Sequence, residues 1–135
     1  MAFYEWVSLY SVGIPSIDEQ HKQIISIINE AHRVLVNDEG PEGYLRVLTD
    51  LMGYTIAHFA YEERLLKEHG YSAYAEHKSE HEKLTTDIIS YVNKLRAGFR
   101  MDGIDILAFV LDWLEDHIVE SDGEYGDFLR ARGVT

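Results

Sequence analysis

Apolar residues recur at intervals of three and four along four long stretches of this chain. Such spacing places the apolar side chains on one face of an α-helix, whereas a half-buried strand would require strict alternation. Each stretch ends at a glycine-containing stop signal, namely Gly40-Pro41, Gly70, Gly98 or Gly123. Long amphipathic helices joined by short loops favour antiparallel neighbours. The sequence therefore predicts an all-α, up-down-up-down antiparallel four-helix bundle.

Residues that favour helix starts give the expected boundaries. Ser16 or Asp18 can cap the first helix just after Pro15. The later helices are expected to begin near Pro41, near Ser72 or Tyr74, and between Asp102 and Ile104. Residues 1–15 are aromatic and irregular and are expected to form an extended arm over the bundle, and residues 125–131 are expected to form a short C-terminal helix. The whole chain, 1–135, is predicted to be a single domain.

The composition excludes several classes of partner and site. The chain has 12 basic and 24 acidic residues and a formal net charge of −12, which repels nucleic acid and anionic lipid. It has no cysteine, so disulfides and thiolate metal sites are excluded. No signal-peptide pattern and no apolar run long enough for membrane insertion are present. We therefore expect a cytoplasmic protein, and its acidic surface favours a monomer.

The inner faces of the predicted helices also carry histidines and carboxylates. Two pairs at i and i+4, His58 with Glu62 and His77 with His81, each share one helix face. A single histidine on an apolar helix face is typically a hydrogen-bonded core residue. A set spread over all four inner faces would cost roughly 1–3 kcal/mol per group to bury without partners, and a shared metal centre would satisfy every member. The predicted ligands are His21, His58, Glu62, His77, His81, His117 and Asp122.

The chemistry of these ligands restricts the metal. Imidazole and carboxylate without sulfur suit iron, manganese or zinc. The ligands are too many for one ion, so two ions bridged by carboxylates are implied. Each of the five histidines occupies one position on one ion, whereas the two carboxylates and one oxide or hydroxide bridge both ions. Two six-coordinate ions then keep a single open coordination position. An open position on a redox-active pair suits a small ligand such as dioxygen.

The ordered set of motifs resembles the hemerythrin family, specifically its single-domain bacteriohemerythrins. The resemblance covers nearly the whole chain. Its pieces are Trp6, SVGIPSIDEQH ending at His21, HFAYEE, HKSEH and WLEDHIVESD. Each piece alone is weak, whereas their order together is specific to the family.

The resemblance implies a non-haem di-iron centre with two unequal irons. Three histidines would bind the saturated iron, two would bind the iron with the open position, and two carboxylates with an oxo or hydroxo group would bridge them. The implied ligands are His77, His81 and His117 on the saturated iron and His21 and His58 on the iron with the open position. The implied bridging carboxylates are Glu62 and Asp122. The resemblance also suggests that Leu114 and Ile118 border a dioxygen pocket. We assign Phe59, Trp113, Ile24 and Ile28 to the same apolar wall, although each is also typical of an ordinary core.

Asp122 is the least regular of these ligands. It comes five residues after His117, which on an ideal helix places it about 140° round the axis. We therefore expect a π-type turn or a helix end between His117 and Gly123.

Three further residues near the motifs are not predicted to bind metal. Glu63 points about 100° away from its neighbour on the helix and is expected to be a surface charge. His32 is expected in the distal core or at its boundary, and His69 at a helix C-terminus, where an imidazole suits the helix dipole.

The resemblance implies reversible dioxygen binding for oxygen transport, storage or delivery to an oxygen-consuming enzyme. The second interpretation is an oxygen sensor, which would need a separate partner because the chain ends at Thr135 without an output module. The third is a di-iron enzyme that handles peroxide or nitric oxide, and the fourth is a structural dizinc bundle. The sequence shows no substrate cleft and no second acid–base group, so we predict that the chain is not an enzyme.

Overall fold

The computed structural model describes residues 11–115 and 125–135, and within these ranges the chain forms four long helices and one short helix. They are α1 (Pro15–Val36), α2 (Gly40–Glu68), α3 (Tyr74–Arg96), α4 (Gly103–Leu114) and α5 (Gly126–Arg130). The predicted starts of α2, α3 and α4 and the short C-terminal helix are confirmed to within about two residues. Residues 1–10 of the predicted arm lie outside the described residues, whereas Val12 and Ile14, at its end, are buried.

The long helices pack as a bundle. α1 packs against α2 and α4, and α2 packs against α3 and α4. The three links that are described in full, between α1, α2, α3 and α4, are short, so consecutive helices return alongside one another. This arrangement confirms the predicted all-α four-helix bundle. No described helix is both long and apolar enough to cross a membrane.

The start of α1 differs from the prediction. Ile14, in an extended conformation, is the N-cap, and Pro15 is the first helical residue, so Ser16 and Asp18 lie inside the helix. The fixed φ of proline suits the first helical position and determines the start here. The Asp18 carboxylate accepts a hydrogen bond from the Val12 backbone N–H at 2.9 Å and so fastens the incoming chain to the first turn.

The ends of α2 and α3 agree with the predicted glycine signals. Gly70 and Gly98 have φ values of +69° and +86°, which glycine adopts without a steric penalty. After α2, the Tyr71 N–H donates to the Leu66 carbonyl at 2.9 Å, and the Phe99 N–H donates to the Lys94 carbonyl at 3.0 Å after α3. These bonds close both helices with Schellman motifs.

The buried apolar residues in the described ranges form two clusters. The larger runs from the middle of the bundle to the end where α1 meets α2, and it includes Ile28, Leu51 and Ile88. The smaller joins the start of α1, the end of α2 and α5, and it includes Ile17, Leu66 and Leu129. Because residues 21, 58, 62, 77 and 81 fall between these clusters along the helices, the bundle contains a buried polar layer.

Candidate metal centre

Five of the seven predicted ligands lie in the buried polar layer. α1 contributes His21, α2 contributes His58 and Glu62, and α3 contributes His77 and His81. None of the five is more than 5% exposed. The two pairs at i and i+4 share a helix face as predicted, and the antiparallel course of α2 and α3 brings the pairs together.

The Glu62 carboxylate lies at the middle of this layer, and its two oxygens face different histidines. Oε1 contacts Nε2 of His58 and lies 3.8 Å from Nε2 of His21. Oε2 lies 3.5 Å from Nε2 of His77 and accepts a hydrogen bond of 2.5 Å from the Tyr125 hydroxyl. One carboxylate therefore joins two separate groups of imidazoles.

Each group could hold one metal ion. The first consists of His21, His58 and Glu62, the second of Glu62, His77 and His81, and the ligand atoms within each group lie within 4.8 Å of one another. The ring centroids are 4.8 Å apart for His21 and His58 and 4.4 Å apart for His77 and His81, with both pairs close to perpendicular. Nitrogen and carboxylate donors without sulfur suit iron, manganese or zinc. The described residues thus fit a pair of ions that share the Glu62 carboxylate.

Contacts outside the ligand set orient the rings. Nδ1 of His58 lies 2.6 Å from Oε1 of Gln20, a residue that the sequence analysis did not single out. An amide oxygen can only accept, so a proton on Nδ1 would complete this contact and would leave the Nε2 lone pair for a metal ion. The position of Gln20 directly before His21 is the one feature of the sequence that points to it. Its contact with His58, however, depends on how α1 packs against α2.

Glu63 is a correction to the sequence analysis. Its carboxylate Oε2 lies 3.3 Å from Nδ1 of His81, and its side chain is only 21% exposed, so its interpretation as a surface charge is wrong. Burial raises the pKa of the Glu63 carboxyl, and Lys78 lowers it in part. The helical angle between Glu62 and Glu63 was correct, but α3 packs beside α2 on that side and brings His81 within reach.

Tyr125 is the second functional residue that the sequence analysis missed. It immediately precedes α5 and is completely buried. Besides its hydrogen bond to Glu62, its ring stacks on His77 with 5.1 Å between centroids. An aromatic ring with a polar tip suits a position between an apolar cluster and a polar site, but no local pattern indicated which tyrosine occupies it.

One side of the polar layer is covered by aromatic and aliphatic side chains. Phe59 stacks on the His81 ring, with centroids 3.7 Å apart and planes only 4° apart. Trp113 packs behind Phe59 at 6.0 Å. The predicted pocket residues Ile24, Ile28, Phe59, Trp113 and Leu114 are all buried in the larger apolar cluster.

Three predicted site residues, His117, Ile118 and Asp122, lie outside the described residues. α4 ends at Leu114, and the next residue, Glu115, is its C-cap, with right-handed helical dihedral angles. The expected departure from a regular helix was placed between His117 and Gly123, and that interval also lies outside the described residues.

The two histidines that were not predicted as ligands belong to neither group. His32 is half-buried in α1, three turns beyond His21. His69 is the C-cap of α2. Among the described residues, neither belongs to a cluster that could hold a metal ion.

Comparison with known protein families gives a match over most of the chain. The model of the hemerythrin HHE cation binding domain matches residues 12–129. The chain is 35% identical over 132 residues to a bacteriohemerythrin of Stenotrophomonas maltophilia, and the match covers 97% of this chain and 84% of that protein. It is 33% identical over 132 residues to a bacteriohemerythrin of Methylococcus capsulatus, which is covered completely.

Solved structures agree with the sequence comparison. A crystal structure of wild-type hemerythrin superposes with a TM-score of 0.86 and is 31% identical in sequence. The superposition covers 95% of this chain and 98% of the other. The likeness therefore extends over the bundle as a whole.

Proposed function

The chain belongs to the hemerythrin family, and on that premise we propose that it binds dioxygen reversibly at a non-haem di-iron centre. The observation that carries the proposal is the position of the Glu62 carboxylate. One oxygen faces His21 and His58, and the other faces His77. A carboxylate that presents one oxygen to each of two imidazole groups is arranged as a bridge between two ions.

We assign the ligands by extending this division. His77, His81 and His117 would hold one iron, His21 and His58 would hold the other, and Glu62 and Asp122 would be shared by both. Support for His21, His58, Glu62, His77 and His81 comes from their convergence; support for His117 and Asp122 comes from the family motif alone.

The balance of ligands suits binding and release of dioxygen. The iron pair, when bound, supplies the two electrons on which reversible capture of dioxygen depends. Carboxylate-rich sites in ferritin-like bundles use four glutamates and two histidines. Five neutral imidazoles with two carboxylates bring less negative charge, which stabilises ferrous iron more and so favours release over further reaction.

The apolar residues beside the site have a separate task. Ile24, Ile28, Phe59, Trp113 and Leu114 are all buried in the cluster next to the histidines. We assign these residues, with Ile118, to the wall of the dioxygen pocket. Such a wall excludes water and protons, which would otherwise let dioxygen leave as hydrogen peroxide with two electrons from the site and so end its capacity to bind dioxygen.

A carrier or store that delivers oxygen to an oxygen-consuming enzyme is the role we propose in the cell. It needs only capture, retention and release, and the convergence of the candidate ligands beside a buried apolar cluster supports this role. An oxygen sensor acting through a separate partner would use the same site, and it would differ from a carrier only in the step after binding.

The deciding experiment is anaerobic metal analysis and then spectroscopy in air. We expect about two irons per chain and a charge-transfer band that appears with oxygen and disappears when oxygen is removed. A band that never reverses would contradict the carrier function. Rapid steady turnover of peroxide or nitric oxide would show that the chain is a di-iron enzyme instead.

Matched variants connect that result to the bridge. Glu62→Gln keeps the shape of the side chain but lowers its charge and its affinity for metal, so the iron content should fall. Glu68→Gln, at an exposed position on the same helix, should retain the full iron content. Equal iron in both variants would remove Glu62 from the proposed site.

A further inference from the structure

A second concave site lies between α3 and α4, apart from the metal ligands. α3 packs mainly on α2 and α4 mainly on α1, so among the described residues the seam between α3 and α4 is less closely packed. A cleft of about 510 Å³ lies in this seam, with Leu84 and Trp113 among its lining residues. Its size is within the range of roughly 300–1,000 Å³ that is typical of small-molecule sites.

Two aromatic rings form part of the cleft wall. Tyr91 of α3 and Phe109 of α4 stack across the seam with centroids 4.0 Å apart and planes 15° apart. The ammonium of Lys94 lies 5.9 Å from the Tyr91 ring centroid. The faces of such rings attract cations because the π-system is negative there. The cleft thus offers flat apolar contact together with an electrostatic preference.

Three carboxylates line the same cleft. Asp87 belongs to α3, and Asp105 and Asp112 belong to α4. Asp105 is exposed, and no hydrogen bond or ion pair joins any of the three to another residue in the described ranges. Their three charges are part of the formal net charge of −12, and no described residue forms an ion pair with them. An anion, or a second copy of this acidic chain, would be repelled from this surface.

We propose that the α3/α4 cleft binds a small organic cation with a flat, apolar body. The flat body would pack against Tyr91, Phe109 and the apolar floor, and the cationic group would pair with Asp105 and Asp112. Such a ligand would fit the volume of the cleft, pack on its aromatic wall and pair with its carboxylates.

The cleft is also close to the candidate metal centre. Trp113 lines the cleft and packs on Phe59 with centroids 6.0 Å apart. Phe59 in turn stacks on His81. A ligand that displaces Trp113 would therefore shift the packing of a proposed iron ligand, and this step rests on the proposed function.

Three probes with the same ring test the binding site itself. Benzamidinium is a flat cation, benzamide is its neutral counterpart and benzoate is an anion. In ligand-observed NMR titrations of the purified protein, we expect benzamidinium to bind about tenfold more tightly than benzamide, from two ion pairs and one ring contact. Benzoate should not bind. Equal binding of benzamidinium and benzamide, or no binding of either, would overturn the proposal.

Matched variants place that preference in the cleft. Asp105→Asn with Asp112→Asn should abolish the tenfold preference for the cation. Asp50→Asn with Glu68→Gln removes the same charge from exposed positions on α2 outside the cleft, and it should retain the preference. Loss of the preference in both double variants would show that only net charge matters and would refute the site.

A separate measurement tests the connection to the metal centre. We expect saturating benzamidinium to change the rate at which the oxygenated protein autoxidises, but not in the Asp105→Asn, Asp112→Asn variant. An unchanged rate in the unmodified protein would refute the connection through Trp113. The NMR titrations need no oxygenated form, so failure of the proposed function would leave them interpretable.

Discussion

Replacement of Tyr125 by phenylalanine isolates one hydrogen bond at the candidate metal centre. The Tyr125 hydroxyl donates to Oε2 of Glu62 at 2.5 Å, and both residues are fully buried. A hydrogen bond to a charged group contributes roughly 1.5–3 kcal/mol to stability. Phenylalanine keeps the ring and its stacking on His77. We therefore expect the free energy of unfolding to fall by about 2 kcal/mol in Tyr125→Phe.

The corresponding change in melting temperature depends on the size of the chain. Unfolding entropy near the midpoint is roughly 2.1 cal/mol/K per residue, so a chain of 135 residues should lose about 7 °C. Urea and thermal unfolding, monitored by far-ultraviolet circular dichroism, measure both quantities. The variant and the unmodified protein must contain equal amounts of iron, because bound metal adds its own stabilisation.

Tyr74→Phe is the matched control. Tyr74 is half-buried against the same apolar cluster as Tyr125, and its hydroxyl makes no hydrogen bond to a described residue. Its loss should change stability by no more than about 0.5 kcal/mol. If the two variants lost equal stability, the hydroxyl of Tyr125 would not support Glu62, and the reasoning would be refuted.

Three further substitutions test other contacts. Gln20→Ala removes the hydrogen-bond acceptor that orients His58 and should lower iron affinity roughly 10–100-fold in chelator competition. Gln23 is exposed on the same helix, so Gln23→Ala should leave the iron affinity unchanged. Leu114→Ala should cost about 2–5 kcal/mol of stability in denaturant unfolding and accelerate autoxidation of the oxygenated protein, and an unchanged autoxidation rate would remove Leu114 from the pocket wall. Arg33→Gln should flatten the loss of stability below about pH 4.5 in acid titrations. Hydrogen bonds from Arg46 and Arg33 lower the pKa of Glu39. The ion pairs of Glu39 therefore contribute to stability above its unfolded-state pKa, and this contribution is lost as the pH falls through its folded-state pKa. An unchanged acid profile in Arg33→Gln would contradict this.

The sequence predicted the helices well because the signals that define them are local. Apolar spacing identifies the buried face of each helix, and the glycines after α2 and α3 adopt the positive φ that ends a helix. The start of α1 was misplaced because two signals competed. Ser16 and Asp18 are good caps, but Pro15 already satisfies the requirements of the first helical position.

The candidate ligands were predictable for the same reason. His58 and Glu62, like His77 and His81, are held on one face by helical periodicity alone. Antiparallel packing of α2 and α3 then brings the two faces together. The contacts of Gln20, Glu63 and Tyr125 depend instead on which helix lies beside another and at what height. That information is tertiary, and no spacing within a single helix contains it.

α2 has a different part in the site from the other helices. Within two turns it provides the candidate ligand His58 and the carboxylate of Glu62 that contacts both groups. It also provides two supports for His81, namely Phe59 on the face of its ring and Glu63 at its Nδ1. α1 and α3 each contribute candidate ligands to one group only. A rotation of α2 about its axis would therefore disturb both groups at once, whereas a similar movement of α1 would disturb only His21 and the support of His58 by Gln20. The relation between the two proposed irons is consequently determined by the helical phase of α2, and the packing of α2 against α1, α3 and α4 holds that phase fixed.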